Sequence, residues 1–117
     1  MAEAKSTTAT DTTNSDDLQT VMGLIINGGN AKSSAFEAIH AAKTGDFDLA
    51  QKKLKEADQF LVDAHNVQTQ MLTNEANGQH AQVNLLMVHA QDHIMNAITF
   101  RDLAGEIVDL YSKIETK

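Results

Sequence analysis

Two histidines four residues apart, His89 and His93, enclose Ala90, Gln91 and Asp92, which makes this string the chemical focus of the chain. On a helix that interval brings both imidazoles to one face. Three chemistries are compatible with it. A histidine pair at this spacing chelates a transition metal with a carboxylate, although the string lacks the glutamate of HExxH and an obvious third histidine. A pair can equally be structural, its ring nitrogens satisfied by hydrogen bonds within a helical assembly. In the third reading one imidazole is a nucleophile, because histidine titrates near neutrality and its neutral ring can attack phosphorus and later leave. Spacing alone leaves all three open. Of the remaining histidines, His40 and His80 stand in no supporting context and are expected to face solvent.

The element that must carry the string is a long C-terminal helix whose apolar residues form two rows instead of one. The first row, Val83, Met87, Ala90, Ile94, Ala97, Ala104, Val108 and Tyr111, alternates by fours and threes with only Arg101 intruding, and suits an intramolecular core. The second contains Leu85, His89, Asp92, Asn96, Phe100, Leu103, Ile107, Leu110 and Ile114. It is polar in its N-terminal half and apolar in its C-terminal half. At 100° per residue it lies well over ~100° around the helix from the first, so one three-helix unit would struggle to bury both. The second row is therefore expected to pack against other copies of the chain. Asp92 and Asn96 would set its register, as polar residues at seam positions do.

Two further helices precede it. The first is expected to begin near Leu18, after Ser15, Asp16 and Asp17, any of which could cap it, and to use Leu18, Val21/Met22, Ile25, Ala35/Phe36, Ile39 and Ala42 as its apolar face. Gly45 stops it and Asp46 caps the next. Gly28-Gly29 in its middle should cost about 1 kcal/mol each against alanine. Close packing against a neighbouring helix, or a local bend, is the expected compensation, with close approach of a ligand as the alternative. The second helix repeats Phe47, Ala50, Leu54, Ala57, Leu61, Ala64, Gln68 and Met71/Leu72, an alternation suited to shallow-angle bundle packing, and should end near Asn74. Residues 75–79 have turn chemistry. The expected organisation is a disordered N-terminal arm over 1–15 and one helical domain over 16–117.

Composition agrees. The 117 residues suit one domain, and the absence of proline with only 4% aromatics favours an all-α chain. Sixteen acidic against nine basic side chains give a formal charge of −7, the wrong sign for neutralising nucleic-acid phosphates. No cysteine is present, so disulfides and thiol chemistry are excluded and a cytoplasmic location fits. The apolar runs fall far short of the ~20 residues of a membrane span, and the first fifteen residues have no apolar segment resembling a secretory signal.

The string Leu86-Met87-Val88-His89-Ala90-Gln91-Asp92-His93-Ile94-Met95 closely resembles the signature of the lactose/cellobiose/chitobiose-type enzyme IIA of the bacterial sugar phosphotransferase system. Ile25-Ile26-Asn27, Gly45-Asp46-Phe47 and Ala64-His65 with Gln68-Thr69 are similar to that family too, so the resemblance runs from about Asp17 to the C-terminus. It implies an antiparallel three-helix bundle assembled as a nine-helix homotrimer. It also implies a phosphoryl carrier in which His89 accepts phosphate from the phosphohistidine of HPr and gives it to a cysteine of enzyme IIB. The implied trimer agrees with the second row of the third helix.

Further expectations follow from the resemblance. The family's central aspartate, Asp92 here, binds one metal ion per trimer. Three such carboxylates on a threefold axis would have to be neutralised or protonated, and carboxylates with water suit a hard divalent ion such as Mg²⁺, with Mn²⁺, Zn²⁺ or protonated aspartates without metal as alternatives. Gln91, His93, Asn96 or an adjacent subunit would fix the His89 tautomer, His93 serving as orienter or phosphate donor. His65 and Gln68 either line the site or satisfy buried polar groups. Docking partners would meet an apolar surface to which Leu85, Leu86 and Met87 contribute. The competing reading is a non-catalytic helical oligomer or metal-binding module that uses His89, Asp92 and His93 as ligands or packing groups. The family's lactose, cellobiose and chitobiose branches share the string, as befits a subunit that handles phosphate and not sugar.

Overall fold

The structure, a computed structural model, describes residues 15–115. Three helices account for nearly all of them: α1 (Ser15–Lys43), α2 (Phe47–Ala76) and α3 (Leu85–Glu115). The expected N-terminal arm lies outside the described residues, apart from Ser15, which begins α1.

Glycine-terminated turns end the first two helices. At the end of α1 the Gly45 N–H donates to the Ala42 carbonyl at 3.1 Å and the Asp46 N–H to the Ala41 carbonyl at 2.9 Å. This pair of bonds requires a left-handed residue, and Gly45 has φ +85°. Asp46 then caps α2 as expected, its carboxylate accepting from the Leu49 N–H at 3.1 Å. The same arrangement recurs after α2, with Gly78 at φ +87°, its N–H on the Glu75 carbonyl and the Gln79 N–H on the Asn74 carbonyl. The helix thus runs to Ala76, past Asn74. Asn84 starts α3 by accepting from the Met87 N–H at 3.0 Å. Val83 therefore precedes the helix and is exposed, a correction to its place in the core row.

α1 packs along both other helices, and α2 and α3 meet less extensively. Two contacts fix the antiparallel register of α2 and α3. Gln68 pairs with Gln91, and ten residues back on α2 and ten forward on α3, Asp58 pairs with Arg101. The guanidinium donates through Nε to Asp58 Oδ1 at 2.5 Å and through an Nη to Oδ2 at 2.9 Å. Hydrogen bonding to Asp58 raises the Arg101 pKa further above its ordinary range, against the opposing effect of partial burial. The residue that interrupted the core row is thus the bridge between two helices.

The α2 face is buried as its spacing indicates, at Ala50, Leu54, Ala57, Leu61, Ala64 and Gln68. The α1 face follows expectation at Val21, Ala35 and Ala42 and departs from it between them. A strict three-four alternation of buried, mostly small residues runs along it at Val21, Leu24, Gly28, Ala31, Ala35, Ala38 and Ala42, with Ser34 and Ala41 buried beside it. Small side chains let α1 approach two helices at once, while Ile25 and Ile39 flank the seam and Met22 and Phe36 stay exposed. Phe36 instead lies against Phe100 of α3, ring centroids 5.5 Å apart. Towards the α1–α2 turn the core is alanine-rich; beneath the histidine string it is built from Val21, Leu24, Ala64, Met87, Ala90 and Ile94.

Candidate functional site

In the first turns of α3, Met87, Ala90 and Ile94 point into the core, so helical geometry turns His89 and Asp92 outward. His89 is exposed and His93 half-buried. Their rings stack with centroids 5.7 Å apart and planes inclined by 27°. The spacing thus brings the two imidazoles together as expected.

His93 lies against the backbone of α1. A Cβ at Gly28 would stand 2.9 Å from His93 Cδ2, and one at Gly29 would stand 3.5 Å from His93 Nε2. Close packing therefore explains Gly28, and the neighbour it accommodates is the half-buried histidine of the string, whereas a side chain at Gly29 would make only an ordinary contact. Sequence reasoning did not connect these segments; a helix-breaking pair with no turn after it was the available signal.

Gln91 turns away from the histidines. Its Oε1 accepts from Gln68 Nε2 at 2.8 Å, and its own Nε2 faces the sulfurs of Met71 and Met87, each at 3.7 Å. Gln68 Nε2 also meets Met95 Sδ at 3.5 Å. Of the two roles open to Gln68, the geometry provides the satisfaction of a buried polar group. His65 is exposed on α2 and makes no hydrogen bond to the string among the described residues. Asn96 donates to the Asp92 carbonyl at 3.0 Å, which ties it to its own helix.

Near His89 on α3, Leu85 and Val88 are exposed and Leu86 is half-buried, while the exposed Met95 has its sulfur against Gln68. Met87 is buried against Gln91 and so is not part of the outer surface, contrary to expectation. His40 and His80 are exposed as expected. His40 edges onto Phe36, and His80 pairs with Glu75.

Asp92 is exposed on the outer face. Among the described residues no three His, Cys, Asp or Glu side chains converge as a metal would need. One carboxylate fits a hard divalent ion as a donor but does not by itself make a complete set of oxygen ligands. The same face of α3 leaves Leu103 54%, Leu110 57% and Ile114 59% exposed. That is a continuous apolar strip of the kind that marks an interaction surface. No helix among the described residues is long and apolar enough to cross a membrane.

The described residues thus form a small three-helix antiparallel unit that displays one histidine of a stacked pair on an outer helix face. Comparison with known proteins makes the class specific. Residues 19–112 match the family described as "PTS system, Lactose/Cellobiose specific IIA subunit". The chain is 53% identical over 96 residues to the lichenan-specific phosphotransferase enzyme IIA component of Bacillus subtilis, covering 82% of this chain and 87% of that one. It is similar to the crystal structure of the cellobiose-specific enzyme IIA from Bacillus anthracis, at a TM-score of 0.82 and 43% identity, covering 85% of this chain and 91% of that one. It is also similar to the IIA(Chitobiose) chain solved in solution in complex with HPr from Escherichia coli. There the TM-score is 0.72 and the identity 39%, over 83% of this chain and 94% of that one. The chain belongs to the lactose/cellobiose-specific enzyme IIA family and is a phosphotransferase-system component.

Proposed function

We propose that this chain is a cytoplasmic phosphoryl carrier for disaccharide uptake, which takes phosphate from phospho-HPr on His89 and passes it to a cysteine of enzyme IIB. The observation that carries the reading is the contrast within the histidine pair. His89 offers an exposed ring to a visiting protein, while His93, wedged against α1, holds that ring from behind. In the first transfer an unprotonated His89 nitrogen attacks phosphorus, the new P–N bond forming as the P–N bond to HPr breaks. In the second the enzyme IIB thiolate attacks, a P–S bond forms, and the His89 nitrogen leaves with its electron pair. Such transfers ask little covalent work of the protein beyond in-line positioning, exclusion of water and balance of charge. The exposed apolar Leu85 and Val88 beside His89 favour exclusion of water at a docked partner. The HPr complex of the similar IIA(Chitobiose) chain supports HPr as donor.

The carrier works as a homotrimer, in which the Phe100, Leu103, Ile107, Leu110 and Ile114 strips of three α3 helices cover one another. The same packing would gather three Asp92 carboxylates, and a divalent ion such as Mg²⁺, one per trimer, would supply the positive charge that cluster needs. Incubation with phospho-HPr tests the reading. An acid-labile adduct should form in the wild type, be absent from His89→Ala, and persist in His93→Ala. An adduct that survives in His89→Ala would remove His89 from its role.

A further inference from the structure

We infer that Gly28 is a positioning residue for phosphoryl transfer, acting through His93 on the His89 ring; the inference rests on His89 being the acceptor. Gly28 is buried in the middle of α1, where glycine weakens a helix relative to alanine, and only Gly45 and Gly78 adopt a positive φ among the described residues. Backbone conformation thus gives no reason for glycine at position 28; space does. A Cβ there would stand 2.9 Å from His93 Cδ2, 3.3 Å from Ile94 Cδ1 and 3.5 Å from the His93 carbonyl oxygen.

The three contacts differ in what can give. The Ile94 methyl lies at the end of a flexible side chain, and the carbonyl sits at an ordinary contact distance. The imidazole is a rigid plate that moves only by rotation about its two side-chain bonds, so relieving the 2.9 Å approach tips its plane. His93 and His89 are stacked, so a tipped His93 no longer supports the acceptor ring at its 27° inclination. Misplacing a reacting atom by about 1 Å can cost ~10²-fold in rate, and this displacement is smaller, so a loss of about ten-fold is expected. Gly23 of the same helix supplies the contrast, because a Cβ there meets nothing within 4 Å.

The experiment compares Gly28→Ala and Gly23→Ala in three readouts: thermal melting, imidazole NMR signals of the unphosphorylated protein, and the rate of phosphorylation by phospho-HPr. Gly23→Ala should melt higher, with wild-type imidazole signals and rate. Gly28→Ala should shift the His93 and His89 ring signals and be phosphorylated about ten-fold more slowly. In a His93→Ala background, adding Gly28→Ala should slow transfer no further. Should Gly28→Ala not fold, Gly28→Ala/Ile94→Val removes the methyl contact and is read against Ile94→Val alone. Wild-type ring signals and rate in Gly28→Ala overturn the inference, as does equal slowing with and without His93. Phosphate mapping to another residue of the wild type overturns the acceptor assignment instead, and the NMR readout separates the two failures because it needs no phosphate.

Discussion

The amide pair between α2 and α3 makes a quantitative prediction. Gln68 is 8% exposed, and its Nε2 donates to Gln91 Oε1 at 2.8 Å. The other polar neighbours of the pair are methionine sulfurs, which are weak acceptors. Gln68→Leu nearly conserves volume but leaves the Gln91 carbonyl without its donor, and Gln91→Leu strands the Gln68 amide in the same way. Each should cost about 2 kcal/mol, within the range for an abandoned buried partner. Gln68→Leu/Gln91→Leu strands nothing and should lie within about 1 kcal/mol of wild type, giving a coupling of roughly 3 kcal/mol. For a domain of this size the single variants should melt on the order of 10 °C lower. Thermal unfolding followed by circular dichroism at one fixed protein concentration measures this, because the proposed self-association would contribute to the apparent stability. A double variant that loses as much as the two singles together would refute the pairing argument.

Arg101→Ala should destabilise the chain by about 1 kcal/mol in denaturant unfolding, less at high salt, because a bidentate but half-exposed ion pair is lost. The Arg101 pKa is raised by Asp58, so its contribution is fully present below the ordinary arginine value and disappears only as pH climbs through the folded one. The salt effect should therefore be unchanged between neutral and moderately alkaline solution. Leu103→Asp/Leu110→Asp, on the exposed strip of α3, should shift sedimentation from about three times the 12.7 kDa chain mass towards one; an unchanged mass would place the interface elsewhere. Asp92→Leu should keep or strengthen the trimer in chelator, since an apolar cluster replaces a charged one, and dissociation of this variant would count against aspartates meeting at an axis.

Much of the architecture was legible in the order and spacing of residues. The α2 face from Ala50 to Gln68 follows its four-three alternation, and Asp46 caps where a carboxylate after glycine should. The α1 face was read less well, because apolar pattern weights large residues. Ile25, Phe36 and Ile39 carry the large-residue pattern, whereas a helix wedged between two others buries its smallest side chains, at Gly28, Ala31 and Ala38 besides the expected Ala35. The Asp58–Arg101 bridge was visible only as an intruder, since pairing across helices depends on a register that one helix does not encode. The same holds at the site. His89 and His93 meet through local helical geometry, but the resting of His93 on Gly28 and the turning of Gln91 towards Gln68 depend on how three helices dock.

In the proposed function a ring nitrogen of His89 carries the phosphoryl group between two partner proteins. The most direct measurement is peptide mapping by mass spectrometry, under non-acidic conditions, of wild-type protein loaded by phospho-HPr and then chased with enzyme IIB. A single added PO₃ group is expected on the peptide containing His89, localised to that residue and lost on addition of enzyme IIB. Phosphate localised to His93 or His65, or retained on His89 through the chase, would contradict it.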